Sequence, residues 1–412
     1  MTDWYMTLAE AQKLDAADPL AFARERFRLP NGITYLDGNS LGALPVATAS
    51  ALSRTAEREW GDGLITSWNK HGWIDAPGRI AAKLAPIVGA KPNELLVADS
   101  TSVCLFKLLA AALAARPGRT TIVTERRNFP TDLYVAQGLA DLLPGIELRT
   151  VDRADLGTAI GDDTAVLYLT HTDYCSGERH DMRALNEAAR AKGALTLWDL
   201  SHSAGAFAVD LNSSGCDLAV GCGYKYLNGG PGAPAFLFVA EQLQDELRSP
   251  ITGWMGHAEP FAFASDYRPA PGIARFLTGT PSILALAALE AGVGTFDGIA
   301  MADIEAKSAA LTQLFIDEIE ACSRQVTLAS PRDPARRGSQ VSFTHPDGYA
   351  VMQALIARGV IGDFRAPDLI RFGFAPLYNR FEDAWLAADA LAGILTTREW
   401  DAPRFHARQK VT

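Results

Sequence analysis

Two short stretches hold the residues best suited to chemistry. Trp198-Asp199-Leu200-Ser201-His202-Ser203-Ala204-Gly205 ends an apolar run on a carboxylate, and Gly223-Tyr224-Lys225-Tyr226 sets a lone lysine ahead of the turn Asn228-Gly229-Gly230-Pro231-Gly232. An amine and a carboxylate in this order suit pyridoxal phosphate (PLP), which needs an amine for its aldehyde and an anion beside its pyridinium nitrogen. Lys225 would carry the aldehyde and act as base at the substrate's Cα, while Asp199 would keep the ring nitrogen protonated. The glycines let backbone and ligand approach closely. Taken singly, the Asp reads as a turn former, the Lys as a surface residue and Gly-Gly-Pro-Gly as a turn. Their occurrence together in one strand-rich segment selects the cofactor.

PLP also needs a cradle for its phosphate. Asp99-Ser100-Thr101-Ser102 follows a strand and opens a helix near Val103, which makes Thr101 and Ser102 candidate ligands through the free N–H groups of a helix start. Asn128-Phe129-Pro130-Thr131-Asp132 follows the next strand. Phe129 offers a face to stack on the ring, and Thr131 or Asp132 a contact with the phosphate or ring edge. Thr172, after another strand, points to the same cofactor, and His202 to the ring or phosphate. Tyr224 either bonds the phosphate or serves as an acid. Arg371, at the head of Arg371-Phe372-Gly373-Phe374, can grip an α-carboxylate through two parallel hydrogen bonds.

These residues must be positioned by a scaffold, and the apolar patterning supplies one. Short apolar runs at 95–98, 120–124, 165–170, 194–200, 218–222 and 235–239 alternate with helical patterns at 103–115, 133–143 and 182–192. Such alternation predicts a mostly parallel sheet covered on both faces, with ligands bound beyond the carboxyl ends of the strands. After Pro281 the character changes to long helical segments (283–294, 304–321, 351–358, 383–394) around strand-like pieces at 326–328, 341–344 and 369–374. The expected organisation is an N-terminal segment, 1–45, joining the small domain; a large cofactor-binding domain, 46–282; and a small C-terminal α+β domain, 283–412. The Pro- and Arg-rich stretch 330–338 reads as a solvent-exposed connection.

At 412 residues the chain exceeds what one core usually holds, in line with two domains. A net charge of −10 without a basic cluster argues against nucleic acid and anionic membranes as partners. Residues 1–5 lack the basic and apolar regions of a secretion signal, and the longest apolar run, 108–115, is too short to span a bilayer. Five scattered cysteines without Cys-x-x-Cys fit a reducing cytoplasm and give no metal site. Cys222, near the lysine, reads as a small buried residue.

The residues resemble kynureninase, within the aspartate aminotransferase superfamily. The likeness runs through Tyr35-Leu36-Asp37-Gly38-Asn39-Ser40-Leu41-Gly42, the Phe129–Asp132 loop, Asp199 and His202, Tyr224-Lys225, Gly253-Trp254-Met255-Gly256-His257, Gly279-Thr280-Pro281, and Arg371 with Pro376-Leu377-Tyr378-Asn379. It implies an α/β fold of the PLP-dependent transferase type (fold type I), with a mostly parallel sheet between helices and a smaller α+β domain. It also implies hydrolysis of L-kynurenine, or its 3-hydroxy analogue, to anthranilate (or 3-hydroxyanthranilate) and L-alanine. A homodimer is implied too, in which Trp254 and Thr280 reach the cofactor of the other subunit. Asn39, Trp68 and His257 join Arg371 as candidate substrate contacts. The family's animal members have Asn in place of Thr280, so this chain is expected to prefer kynurenine over the hydroxylated substrate. A cysteine desulfurase-like lyase is the competing reading, but Cys322 lies in a helical pattern, the wrong setting for a mobile catalytic thiol. A non-catalytic binding protein is opposed by intact Lys225, Asp199 and Arg371.

Overall fold

The structure is a computed structural model that describes residues 5–408; residues 1–4, which bear on the leader expectation, lie outside it. A seven-stranded sheet is its centre, built from β1 (Leu95–Val97), β2 (Thr121–Glu125), β3 (Glu147–Val151), β4 (Thr164–Thr170), β5 (Leu195–Asp199), β6 (Leu218–Gly221) and β7 (Phe236–Val239) in the order β1-β7-β6-β5-β4-β2-β3. Neighbours pair parallel except β7, which runs antiparallel to both β1 and β6. Every residue of β1, β2, β4, β5, β6 and β7 is buried. That explains their continuous apolar runs, since helices cover both faces of such a sheet. Edge strand β3 was not expected from the sequence. Its Glu-Leu-Arg-Thr-Val is only half-buried and therefore lacks an apolar run.

Helices α1 (Thr101–Ala114), α2 (Pro130–Leu142) and α3 (Met182–Ala191) connect the strands. α1 starts two residues before the expected Val103, because Ser100 caps it by accepting a hydrogen bond from Val103 N. Asp181 caps α3 in the same way through Ala184 N.

A second, four-stranded antiparallel sheet contains β8 (Thr327–Leu328), β9 (Gln340–Thr344), β10 (Asp363–Arg365) and β11 (Leu369–Gly373), ordered β8-β9-β11-β10. It packs with α5 (Met301–Cys322), α6 (Gly348–Ala357) and α7 (Phe381–Thr397) around a core that includes Phe315, Phe343, Phe372 and Leu391. Two boundaries differ from expectation. Helix α4 (Ile283–Val293) buries Leu286, Leu289 and Val293 in the larger core, not the smaller one. The N-terminal segment divides as well: Ala11 and Leu36 join the small core, whereas Leu20, Ala23, Phe27 and Ala43 join the large one. Thr34–Tyr35 pairs in parallel with Val360–Ile361 as a separate two-stranded sheet, and Val360 belongs to the small core.

The stretch 330–338 is exposed only in part. Arg337 is buried and donates to the carbonyls of Pro331 and Arg332 and to Thr312 and Gln313. A guanidinium has enough donors to satisfy several carbonyls at once, so the arginine that suggested a solvated loop in fact anchors it. Among the described residues no single helix is long and apolar enough to cross a membrane.

Candidate active site

The carboxyl ends of the central strands gather the predicted residues. Asp199 is the last residue of β5, Lys225 follows β6, Phe129 follows β2, and Thr172 follows β4. Lys225 is half-buried. Its Nζ lies 5.8 Å from the ring centres of both Phe129 and Tyr224 and has no hydrogen-bond or ion-pair partner among the described residues. Phe129 is held edge-on against Tyr174, centroids 5.2 Å apart.

Two buried carboxyls, Asp132 and Asp199, interact with one another and feel the charge of Lys225. Asp199 accepts from Ser201 N at 2.8 Å and Ser201 Oγ at 2.6 Å. Asp132, in the first turn of α2, lies with Oδ2 3.0 Å from Thr170 Oγ1. Burial raises both pKa values. Asp132 is driven well above the usual carboxylate range, by burial first and by the Asp199 charge second. Asp199 rises too, but Ser201 and Lys225 hold it back. Two like charges this close in a dry site do not both ionise. Burial and mutual repulsion therefore favour a proton on the pair, with the stronger push on Asp132.

The helix start offers the cradle. Ser100 and its carbonyl engage Val103 N and Cys104 N, which leaves the N–H groups of Thr101 and Ser102 for a ligand. Thr101, Tyr224 and Thr280 line one cavity of about 390 Å³. Asp99, just before the cap, sits at φ +50° and is held there by Lys107 Nζ at 2.5 Å. Thr131 stands half-buried in the first turn of α2. Thr172 is buried, with Oγ1 2.8 Å from Ser203 Oγ, which in turn meets His171 Nδ1 at 3.0 Å. His202 is buried three residues after Asp199, its Nδ1 3.0 Å from Gln340 Oε1. An unpaired amine, buried carboxyls, an aromatic face and a free helix start fit PLP.

Arg371 is more committed than the sequence suggests. Its guanidinium forms a two-pronged ion pair with Asp363 on the adjacent strand β10, and also donates to Tyr174 O at 2.5 Å and Ser40 Oγ at 3.2 Å. Asn39 completes the cluster. With its carboxamide oxygen toward Arg371 it accepts from Nε at 2.9 Å and donates to Asp37 at 3.2 Å. A Cβ on Gly373 would run into the Asn39 carboxamide, so only glycine admits Asn39 there. The sequence reading missed Asp363. Its signal was the two-charge piece Asp363-Phe364-Arg365 lying in antiparallel register with Arg371.

Burial and Asp363 push Asp37 up to about 7, against the pull of Arg371. In the unfolded chain this group ionises near 4. The native state therefore binds more protons than the unfolded state between pH 4 and 7, and this group makes stability fall as pH rises through that window. In urea titrations Asp37→Asn should remove a stability loss on the order of 2–4 kcal/mol between these pH values. An unchanged slope would show that Asp37 ionises normally.

Three predicted residues stand apart. Trp68 packs edge-on to Trp73 at 6.1 Å, Trp254 on Phe261 at 5.7 Å, and His257 uses both ring nitrogens within its own loop, at Glu259 N (2.8 Å) and Asp266 O (3.3 Å). None shares a hydrogen bond or ring contact with Lys225, Asp199 or Arg371 among the described residues. Cys322 ends α5 and donates to Glu318 O at 2.9 Å within the helix, which gives a mobile thiol no room.

Fold and site define a class. A cysteine desulfurase from Thermococcus onnurineus NA1 superposes with a TM-score of 0.76 at 21% identity, covering 92% of this chain and 98% of that one. A C-DES variant with glycine covalently linked to the PLP cofactor gives 0.77 at 18% identity, covering 89% and 98%. The fold is thus the α/β fold of PLP-dependent enzymes of fold type I. Residues 304–391 match the family model of the kynureninase C-terminal domain. Kynureninase of Pseudomonas fluorescens is 51% identical over 407 residues, 97% of this chain and 98% of that protein. The chain belongs to the kynureninase family.

Proposed function

We propose that this chain, with PLP bound, hydrolyses L-kynurenine to anthranilate and L-alanine, and that it works in the cytoplasm as a homodimer. The observation that carries the reading is Lys225, an unpaired amine 5.8 Å from the Phe129 ring centre and in the field of the buried Asp132 and Asp199 carboxyls. When bound, PLP supplies the electron sink for a carbanion at the substrate's Cα and then at its β-carbon. The chain's own residues do the rest. Lys225 Nζ would hold the aldehyde and would serve as the base at the substrate's Cα. Asp199 would keep the ring nitrogen protonated, Phe129 would offer its face to the ring, and Thr101, Ser102 and Tyr224 would hold the phosphate, with Thr172 and His202 as further contacts. Thr131 lies beside them as a further contact.

While Asp37 is protonated, Arg371, Arg365 and Asp363 sum to one positive charge, which matches the single α-carboxylate of the substrate. Asn39 orients Arg371 within that cluster. Water then adds to the ketone beside the aryl ring, and the aryl group leaves as the acid, with Tyr224 as the candidate proton donor.

Trp254, Phe261 and Phe263 expose aromatic surface, which supports a face covered by a second copy. In that dimer Trp254 and Thr280 reach the other subunit's cofactor, and Trp68 and His257 border the substrate. The two cores support a large unit that takes in α4 and a small one that begins within α5.

Anthranilate fluorescence after adding L-kynurenine tests the activity; no release from holoenzyme would overturn it. Kynurenine should be preferred over 3-hydroxykynurenine. Thr280 is shorter than Asn and offers one hydroxyl, so an added ring hydroxyl lacks a partner, at a cost of about 10- to 100-fold in kcat/KM. Thr280→Asn should narrow that gap, and an equal preference in the wild type would refute the assignment.

A further inference from the structure

Gln340, the first residue of β9, is 1% exposed and touches three parts of the site. Its Nε2 donates to the carbonyls of Tyr174 at 3.2 Å and Cys175 at 3.4 Å, while Oε1 lies 3.0 Å from His202 Nδ1. The two ends of this carboxamide are not interchangeable. Carbonyl oxygens only accept, so the NH2 end must face them, and the oxygen must face the imidazole. An amide oxygen also only accepts, so Nδ1 is the nitrogen that carries hydrogen.

The side chain has little freedom to turn away. Gly177, at φ +74°, closes over its stem so tightly that a Cβ there would meet Gln340 Cγ at 2.6 Å. The Tyr174 carbonyl that receives Gln340 also receives Arg371 Nη1 at 2.5 Å, so one carboxamide joins the arginine cluster to the Asp199–His202 turn.

We infer that Gln340 is a positioning residue that holds His202 as the neutral Nδ1–H tautomer, with Nε2 left as a bare acceptor. Lys225, Arg371 and Arg365 are cations that act on His202, while Asp199 lies three residues before it in the same turn. Together with burial the cations keep the imidazole well below its usual pKa, and the Gln340 bond only partly offsets them. A group that docks on Nε2 must therefore bring its own hydrogen. This consequence rests on the PLP-dependent reading, whereas the hydrogen on Nδ1 rests on geometry alone.

The test is ¹⁵N NMR of the full-length chain labelled at histidine, with and without PLP. The expected wild-type result at neutral pH is a protonated Nδ1 and an unprotonated Nε2 for His202. Gln340→Glu puts a carboxylate against Nδ1 and should give a doubly protonated ring at pH 7. Its kcat/KM should fall about 10- to 100-fold and recover as pH rises through the new imidazole pKa. Gln340→Met, uncharged and of similar size, should lose the Nδ1–H preference while keeping its circular dichroism spectrum, which separates positioning from folding. An Nε2–H signal in the wild type, or His202 signals unchanged in a folded Gln340→Glu or Gln340→Met protein, overturns the inference. Nδ1–H without kynurenine cleavage would strike the proposed function alone, and cleavage with Nε2–H would strike the tautomer alone.

Discussion

Lys225→Ala should abolish kynurenine cleavage, lowering kcat by at least about 10⁴-fold, while the thermal midpoint stays close to the wild type's. The first expectation follows from the two roles placed on one amine, holding the aldehyde and moving the Cα proton. Each such role is ordinarily worth several powers of ten. The second follows from the surroundings of Nζ, which has no hydrogen-bond or ion-pair partner among the described residues. Removing it leaves no buried partner unsatisfied, which is the usual source of a large stability loss. Borohydride reduction followed by peptide mapping should place the pyridoxyl group on Lys225. Recovery of the label on Lys107 would end the assignment, although Lys107 is already held by Asp99 and the Phe276 carbonyl.

The second large effect concerns the carboxylate pair, whose members should not respond alike. Asp199→Asn removes the carboxylate proposed to face the ring nitrogen, and kcat/KM should fall about 10²- to 10³-fold, the range typical of a lost preorganised electrostatic contact. Asp132→Asn keeps a neutral donor where burial and Asp199 favour a protonated carboxyl, so its loss should stay within about tenfold. The asymmetry comes from burial and mutual repulsion, which drive Asp132 furthest from the usual carboxylate range. Steady-state kinetics on the two variants, with PLP affinity read by absorbance titration, would decide it. Equal losses would mean that the proton is shared evenly or sits on Asp199.

The chemistry at the strand ends was legible in the sequence because it is local. Asp199 and His202 share one turn, Tyr224 and Lys225 are adjacent, and Ser100, Thr101 and Ser102 form one helix start. The alternation of apolar strands and helices was equally legible, since buried parallel strands must be apolar throughout. Edge strand β3 escaped because half its surface is wet, and β10 because two of its three residues are charged. Tertiary structure alone decided the pairings between distant segments: Asp363 with Arg371 across antiparallel strands, Asp132 against Asp199 from a helix and a strand, Gln340 on His202, and α4 on the larger core. Each depends on the register of elements far apart in the chain. A one-residue slip in a strand turns every side chain to the other face, and nothing in the local pattern of either partner records which residue will stand opposite. The sequence by itself therefore determined which groups were candidates for the chemistry, and the packing of the two sheets determined their partners and the direction in which burial and neighbouring charges push them.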